Sequence, residues 1–258
     1  MRPKARSKIL FPIIKGTIRF FYPRTEIVGL ENLPKEPCII VGNHTQINGP
    51  ICGELFFDDS VYIWCAHEMM DLKKVPKYAY TDFWSQKSPL SRPFYKLLSY
   101  IIAPVSVVIF NNARTIAVHK DARILRTFKD TVAKLQSGCH VIIFPEHDAP
   151  HNHIVYDFQE GFVDVAKLYH SRTGKELSFV PMYIAPRLKK IYIGKPIDFC
   201  ADTPLPTERH RICEALMAEI TDLAEALPLH TVVPYRNIPK RKYPTNIPRE
   251  AKNEKIYR

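Results

Sequence analysis

The sequence lacks paired cysteines. Its six thiols, Cys38, Cys52, Cys65, Cys139, Cys200 and Cys213, include no Cys-x-x-Cys and fall mostly inside apolar runs. That spacing argues against a cysteine-built zinc site and reads as reduced, buried thiols. A secretory signal is missing too, because no small-residue cleavage site follows the basic, apolar start, so a cytoplasmic setting is expected. No run supplies the roughly 20 apolar residues that span a bilayer. Leu97–Phe110 comes nearest, is divided by Pro104, and reads as the end of a helix followed by a core strand. Neither an internal repeat nor an interior linker interrupts the 258 residues. That length suits one α/β domain with a substantial core, or at most two small ones.

Acidic residues are scarce at both ends. Residues 1–24 hold seven Lys or Arg and no acid, and residues 236–258 hold eight basic residues and two acids. The ends therefore carry +13 of a total of +11, which leaves −2 for everything between. Three parts are expected: a basic amphipathic segment at 1–25, an α/β domain at 26–233 and a basic, Pro-rich tail at 234–258. Within the first, Arg2, Lys4, Arg6 and Lys8 precede the apolar and aromatic stretch Ile9–Tyr22. Such a segment suits an anionic membrane surface, with aromatics at headgroup depth; a first helix packed on the domain fits it equally well. The tail interleaves Tyr235, Tyr243 and Tyr257 with cations, a pattern shared by nucleic-acid-binding arms. Nothing in the globular part supports nucleic-acid recognition, so lipid headgroups are the expected partner, against a plain solubilising tail.

Between the ends, strands alternate with helices. Glu26–Gly29, Cys38–Gly42, Val61–Ala66, Val105–Phe110, His140–Phe144, Ser178–Ala185 and Lys190–Ile193 read as strands. Helices are expected at 50–57, 94–102, 121–136, 161–170 and from a Thr207 cap to Leu227. The clearest has Ile124, Leu125, Phe128, Val132 and Leu135 in one stripe and stops at Ser137-Gly138. Repeated strand–helix units predict a mostly parallel central sheet flanked by helices on both faces.

Two of the strands end in ionisable residues. Cys38-Ile39-Ile40-Val41-Gly42-Asn43 delivers His44 to a polar turn, and His140–Phe144 delivers Pro145-Glu146-His147-Asp148. Open α/β sheets bind ligands beyond such strand ends. A neutral imidazole there can take a proton from a bound alcohol. A histidine that merely satisfies turn backbone is the plainer reading of the first turn alone, and the second strand tips the balance towards chemistry.

The chain resembles the glycerolipid acyltransferases of the lysophosphatidic acid acyltransferase superfamily over roughly residues 26–200. Asn43-His44, Phe144-Pro145-Glu146, Phe158-Gln159-Glu160-Gly161 and Val180-Pro181 match that family's motifs in order. Ile191–Ile197 and Val28–Pro34 look like its closing and leading elements. The resemblance implies a glycerolipid acyltransferase-like fold. It implies transfer of a fatty acyl group from an acyl-CoA or acyl-carrier-protein thioester to a lysophospholipid or glycerol phosphate, at the inner face of a membrane. His44 is then the general base and Glu146 helps shape the acceptor site; Asn43, His147 and Gly161 line the substrate, and neither a metal nor a resident cofactor is needed.

The chain also departs from that pattern. The family's aspartate, five positions after the histidine, is Gly49; Asn48 and Glu54 are the candidates to hold the imidazole instead. The family's Phe-x-x-Arg element reads Phe110-Asn111-Asn112-Ala113-Arg114, one position late, with Arg114 as the expected phosphate ligand. The glycine after Phe-Pro-Glu is His147. A catalytically impaired lipid- or acyl-binding homologue therefore stays open. So does a metal-dependent hydrolase built on His147, Asp148, His151 and His153, although Pro150 argues for a loop that would not converge these ligands.

Overall fold

A computed structural model describes residues 9–85 and 87–248; the side chains of residues 148–151 lie outside that description. The chain forms a mixed, mostly parallel sheet. Its strands are β1 (Glu26–Val28), β2 (Ile39–Gly42), β3 (Val61–Ala66), β4 (Thr115–Val118), β5 (His140–Ile143), β8 (Ser178–Ala185), β9 (Lys190–Ile193) and β10 (Ile197–Asp198). The order is β1-β9-β8-β2-β5-β3-β4, with β10 also pairing β8. The five strands β8, β2, β5, β3 and β4 are mutually parallel, and β9 and β10 run against β8. A separate hairpin joins β6 (Glu146–His151) to β7 (Tyr156–Phe158).

The unbroken apolar runs of β2 and β5 follow from their central position: both strands are fully buried. On one face, Ile39, Val41, Val141 and Ile143 meet α5 (Ile124–Gln136), α6 (Asp164–Thr173) and α7 (Leu205–Glu225) through Phe128, Val132, Val165, Ile212 and Leu216. On the other face, Ile40, Ile142 and Val180 pack with Cys52 of α2 (Asn48–Phe56). The parallel β2, β5, β3 and β4 all end on one rim, where the polar turns after β2 and β5 gather.

One segment departs from the sequence reading. The run expected to become a strand at Val105–Phe110 is the second half of a single helix, α4 (Arg92–Asn112), with Pro104 inside it. β-Branched residues and an internal proline favour the other choice locally. Tertiary contacts override them. Ser99, Ala103 and Ser106 form the buried stripe at helical spacing; Ala103 packs on Val75 and Ala79 of α3 (Val75–Ala79). Ser106 Oγ donates to the Met69 carbonyl at 3.2 Å, and Asn111 Nδ2 to that of Met70 at 3.0 Å. The strand is instead the shorter β4. With the turn before it, the helical stretch Pro89–Asn112 is 24 residues and contains an 18-residue window of mean hydropathy 1.7, long and apolar enough by length and composition to cross a membrane. The last helix likewise begins before Thr207, at Leu205, with Pro206 in its first turn, where proline's missing N–H needs no partner. The hairpin β6–β7 replaces the loop expected around Pro150; its register slips between the Glu146–Phe158 and His151–Tyr156 pairs.

Helix α1 (Leu10–Phe21) has no fully buried residue, and Ile9, Leu10, Ile13, Phe20 and Phe21 are exposed. Lys15 ties it to Glu54 at 2.6 Å. Residues 1–8 and 249–258, which carry the remaining terminal cations, are outside the described residues. Residues 234–248 fold back on the domain: Asn246 is completely buried, and Thr231 bridges Thr245.

Candidate active site

The turn that presents His44 is built by its neighbours. As β2 leaves the sheet, the buried Asn43 imitates a strand residue: Nδ2 donates to the Ile184 carbonyl at 3.0 Å and Oδ1 accepts the Ile184 N–H at 2.7 Å. Asn43 thus braces the sheet. Thr45 and Gln46 both sit at positive φ, 47° and 57°, a backbone region that costs non-glycine residues about 1 kcal/mol or more each. Asn48 and Gly49 close the turn, through Asn48 Nδ2 to Thr45 O at 2.9 Å and Gly49 N–H to His44 O at 3.1 Å.

Glu146 fastens this turn to the next strand end. Its buried carboxylate accepts the His44 N–H at 2.6 Å and the Tyr156 N–H at 2.8 Å. Burial pushes its pKa up to about 7, against the pull of those two donors. The two distant turns therefore meet, but the carboxylate grips the backbone of His44, not its ring. The imidazole packs in T-shaped fashion with the rings of Phe144 (centroids 5.3 Å apart, 73°) and Tyr235 (5.4 Å, 82°). Burial lowers its pKa to about 4, opposed only in part by the Gln46 main chain, and Nδ1 is sealed from solvent without a hydrogen-bond partner.

The two residues expected to hold the ring are engaged elsewhere. Asn48 Oδ1 accepts from the Tyr22 hydroxyl at 2.8 Å. Glu54 pairs with Lys15, lies 3.5 Å from Arg114 Nε, and accepts the Arg114 N–H at 3.2 Å. Arg114 in turn caps α2: its Nη2 donates to the carbonyls of Glu54 at 2.9 Å and Phe57 at 3.4 Å. That guanidinium is half of a structural knot and does not line the cavity described next. His147 is half-exposed, 3.5 Å from Asp157. Among the described residues no three His, Cys, Asp or Glu side chains converge on a metal position; the hydrolase reading turns on Asp148 and His151, whose side chains are outside the description.

A cavity of about 770 Å³ connects these parts. His44, Glu146, Glu54, Gly161 and Tyr235 line it at the turns, and Phe11, Ile14 and Ile18 of α1 with Ile102, Val105 and Ile109 of α4 wall it. Its walls also include His119 and Lys120, which follow β4. Beside them the His67 and His119 rings pack at 4.5 Å, tilted by 41°, and Lys74 Nζ reaches His67 Nε2 at 2.9 Å. Burial and the neighbouring His67 lower the His119 pKa. This basic cluster escaped the sequence reading because the strand carrying it was misplaced. The run Thr115-Ile116-Ala117-Val118 before His119-Lys120 was the signal.

The His44 imidazole thus stands at a strand end over a mostly apolar hollow. The family model described as Acyltransferase matches residues 24–185, well over half of the chain. The protein belongs to this acyltransferase family. Among solved structures, the 1-acyl-sn-glycerophosphate (LPA) acyltransferase PlsC from Thermotoga maritima is similar, with 15% identity, a TM-score of 0.45, and coverage of 82% of this chain and 80% of that one. No curated protein matches the sequence.

Proposed function

We propose that the protein moves a fatty acyl group from an acyl-CoA or acyl-carrier-protein thioester to the hydroxyl of a lysophospholipid or glycerol-phosphate acceptor, with His44 as general base. The observation that carries this reading is that His44 and Glu146 line one cavity whose walls are otherwise mostly apolar, the usual makeup of a ligand pocket. Its volume lies in the range of about 300–1,000 Å³ common to such pockets. The imidazole, neutral above pH about 4, takes the acceptor proton as the oxygen attacks the thioester carbonyl. The tetrahedral intermediate then expels the thiolate, which recovers that proton from the imidazolium. No covalent acyl-enzyme and no metal enter this scheme.

Lys120, exposed at the cavity rim beyond β4, is the cation we assign to the acceptor phosphate in place of Arg114. Phe94, Leu97, Tyr100 and Ile101 on α4, with Leu10 and Ile13 on α1 and Ile9 just before it, are exposed apolar groups next to the cavity walls. They support docking on an anionic membrane surface at its cytoplasmic face. The test is incubation with a labelled acyl thioester and a panel of lysolipids: a diacyl product is expected, and its loss in His44→Ala. A second reading, acyl binding without turnover, is favoured by one observation, that the hydrogen bonds of Asn48 and Glu54 go elsewhere and leave Nδ1 unpartnered. It predicts thioester binding with no product.

A further inference from the structure

We propose that Tyr235, on the arm after α7, is a positioning residue that holds the His44 ring in place of the missing carboxylate; the catalytic part of this inference rests on the acyltransferase reading above. The argument starts at Gly49. A Cβ built there would sit 2.4 Å from the His44 carbonyl oxygen and 3.0 Å from Phe144 Cζ. This turn has no room for a side chain at the position where the resemblance places an aspartate. Besides the Gln46 main chain, the contacts on the imidazole are aromatic, from the Phe144 and Tyr235 rings in T-shaped packing.

The arm is built to deliver that ring. Its neck is pinned to the domain: the Asn246 side chain accepts the His230 N–H at 2.7 Å and donates to the carbonyls of Ala224 at 2.9 Å and Leu227 at 3.1 Å. His230 Nε2 meets the Tyr183 hydroxyl at 2.8 Å. Val232 N–H reaches Pro244 O at 2.9 Å, which closes residues 232–244 into a loop. Its tip is tied to the catalytic turn itself. Gln46, one of the two strained residues, donates Nε2 to the Tyr243 hydroxyl at 2.9 Å and to the Arg236 carbonyl at 3.0 Å. Asn237 Nδ2 donates to the carbonyl of Asp82, another residue lining the cavity, at 3.0 Å. Pro234, Pro239 and Pro244 stiffen the loop, so less entropy is lost in fixing it. The arm lies wholly outside residues 24–185, the stretch matched by the family model.

The test compares Tyr235→Ala, Tyr235→Phe and Tyr243→Phe in the full chain. Tyr235→Ala is expected to lower kcat by about 10- to 100-fold, as a catalytic group released from its geometry does, with KM for the thioester little changed. Tyr235→Phe keeps the ring and is expected to restore most of kcat. Tyr243→Phe removes one tether without opening a cavity, and a kcat loss of about 3-fold or more is expected. A second readout needs no acyl transfer: the rate of His44 carbethoxylation by diethyl pyrocarbonate, followed by peptide mass mapping. It is expected to rise several-fold in Tyr235→Ala and to stay at the wild-type value in Tyr235→Phe. An unchanged modification rate and kcat in Tyr235→Ala overturn the proposal, as does a Phe variant as impaired as Ala. Should Tyr235→Ala fail to fold, wild-type kcat in Tyr243→Phe overturns it. A His44→Ala enzyme that still transfers acyl groups defeats the proposed function instead, and the modification rates then decide the shielding alone.

Discussion

Restoring a carboxylate at position 49 should damage this protein, not repair it. The added Cβ meets the His44 carbonyl oxygen at 2.4 Å, well inside the 3.0 Å that such contacts respect, and two atoms of the Phe144 ring at 3.0 and 3.1 Å. The obstacle is backbone, so relief requires the turn to move. Overpacking of this kind costs about 1–3 kcal/mol, and loss of the Gly49 N–H to His44 O bond adds about 1 kcal/mol. Better helix propensity returns about 1 kcal/mol. For Gly49→Ala a net loss of about 1–3 kcal/mol is expected, or roughly 3–10 °C in Tm for a chain of this size. Gly49→Asp should lose more, since it also carries an ionised group into a buried turn. Both should lower acyl transfer by about 100-fold, because His44 moves with its own carbonyl. Thermal melts and initial rates check this, with Gly16→Ala on α1 as control, where an added Cβ meets nothing within 4 Å. A Gly49→Asp enzyme that melts with the wild type and turns over faster would refute the steric argument.

Acid stability separates the two buried titratable groups. Glu146, with its pKa raised from 4.5 to about 7, binds its proton better when folded, so its contribution is present below pH 4.5 and lost as pH rises through about 7. His44, lowered from 6.5 to about 4, contributes stability above pH 6.5 that is lost as pH falls through about 4. Each is worth up to about 3 kcal/mol, and the two oppose each other between pH 4.5 and 6.5. Urea unfolding across that window should show Glu146→Gln losing stability on acidification relative to wild type and His44→Leu gaining it; parallel curves contradict both assignments. Lys120→Ala should raise KM for a phosphate-bearing acceptor several-fold and leave KM for the thioester alone, whereas an unchanged acceptor KM removes Lys120 from the site. Exchanging the exposed Leu97 and Ile101 for serine should weaken partition onto anionic vesicles at least about 10-fold, given about 25 cal/mol per Å² of apolar area. Full vesicle binding by that double variant would move the membrane face elsewhere.

Much of this architecture is legible in the residues. Val61–Ala66, Ser178–Ala185 and Lys190–Ile193 are strands over the expected spans, because each is a short β-rich run flanked by turn residues. The clear stripe of α5 is likewise helical. Val105–Phe110 misleads because its partners, Met69 and Val75, are distant in sequence and decide the helix through contacts invisible locally. With Val105–Phe110 in a helix, the strand is Thr115–Val118, and it delivers His119 and Lys120 to the cavity. At the site, the meeting of the His44 and Glu146 turns follows from two strands ending at one sheet rim. What Glu146 touches does not, since backbone N–H groups carry no sequence signature. Tyr235 was equally hidden: nothing in a Pro- and Lys-rich tail says that it folds back over a turn 190 residues away.

The most direct test of the central claim uses the purified full-length protein, a labelled long-chain acyl thioester and a set of lysophospholipids and glycerol phosphate. Wild type should yield a diacyl or monoacyl product with release of free thiol, and His44→Ala should yield none while it still binds the thioester. Equal product from both proteins would contradict the account.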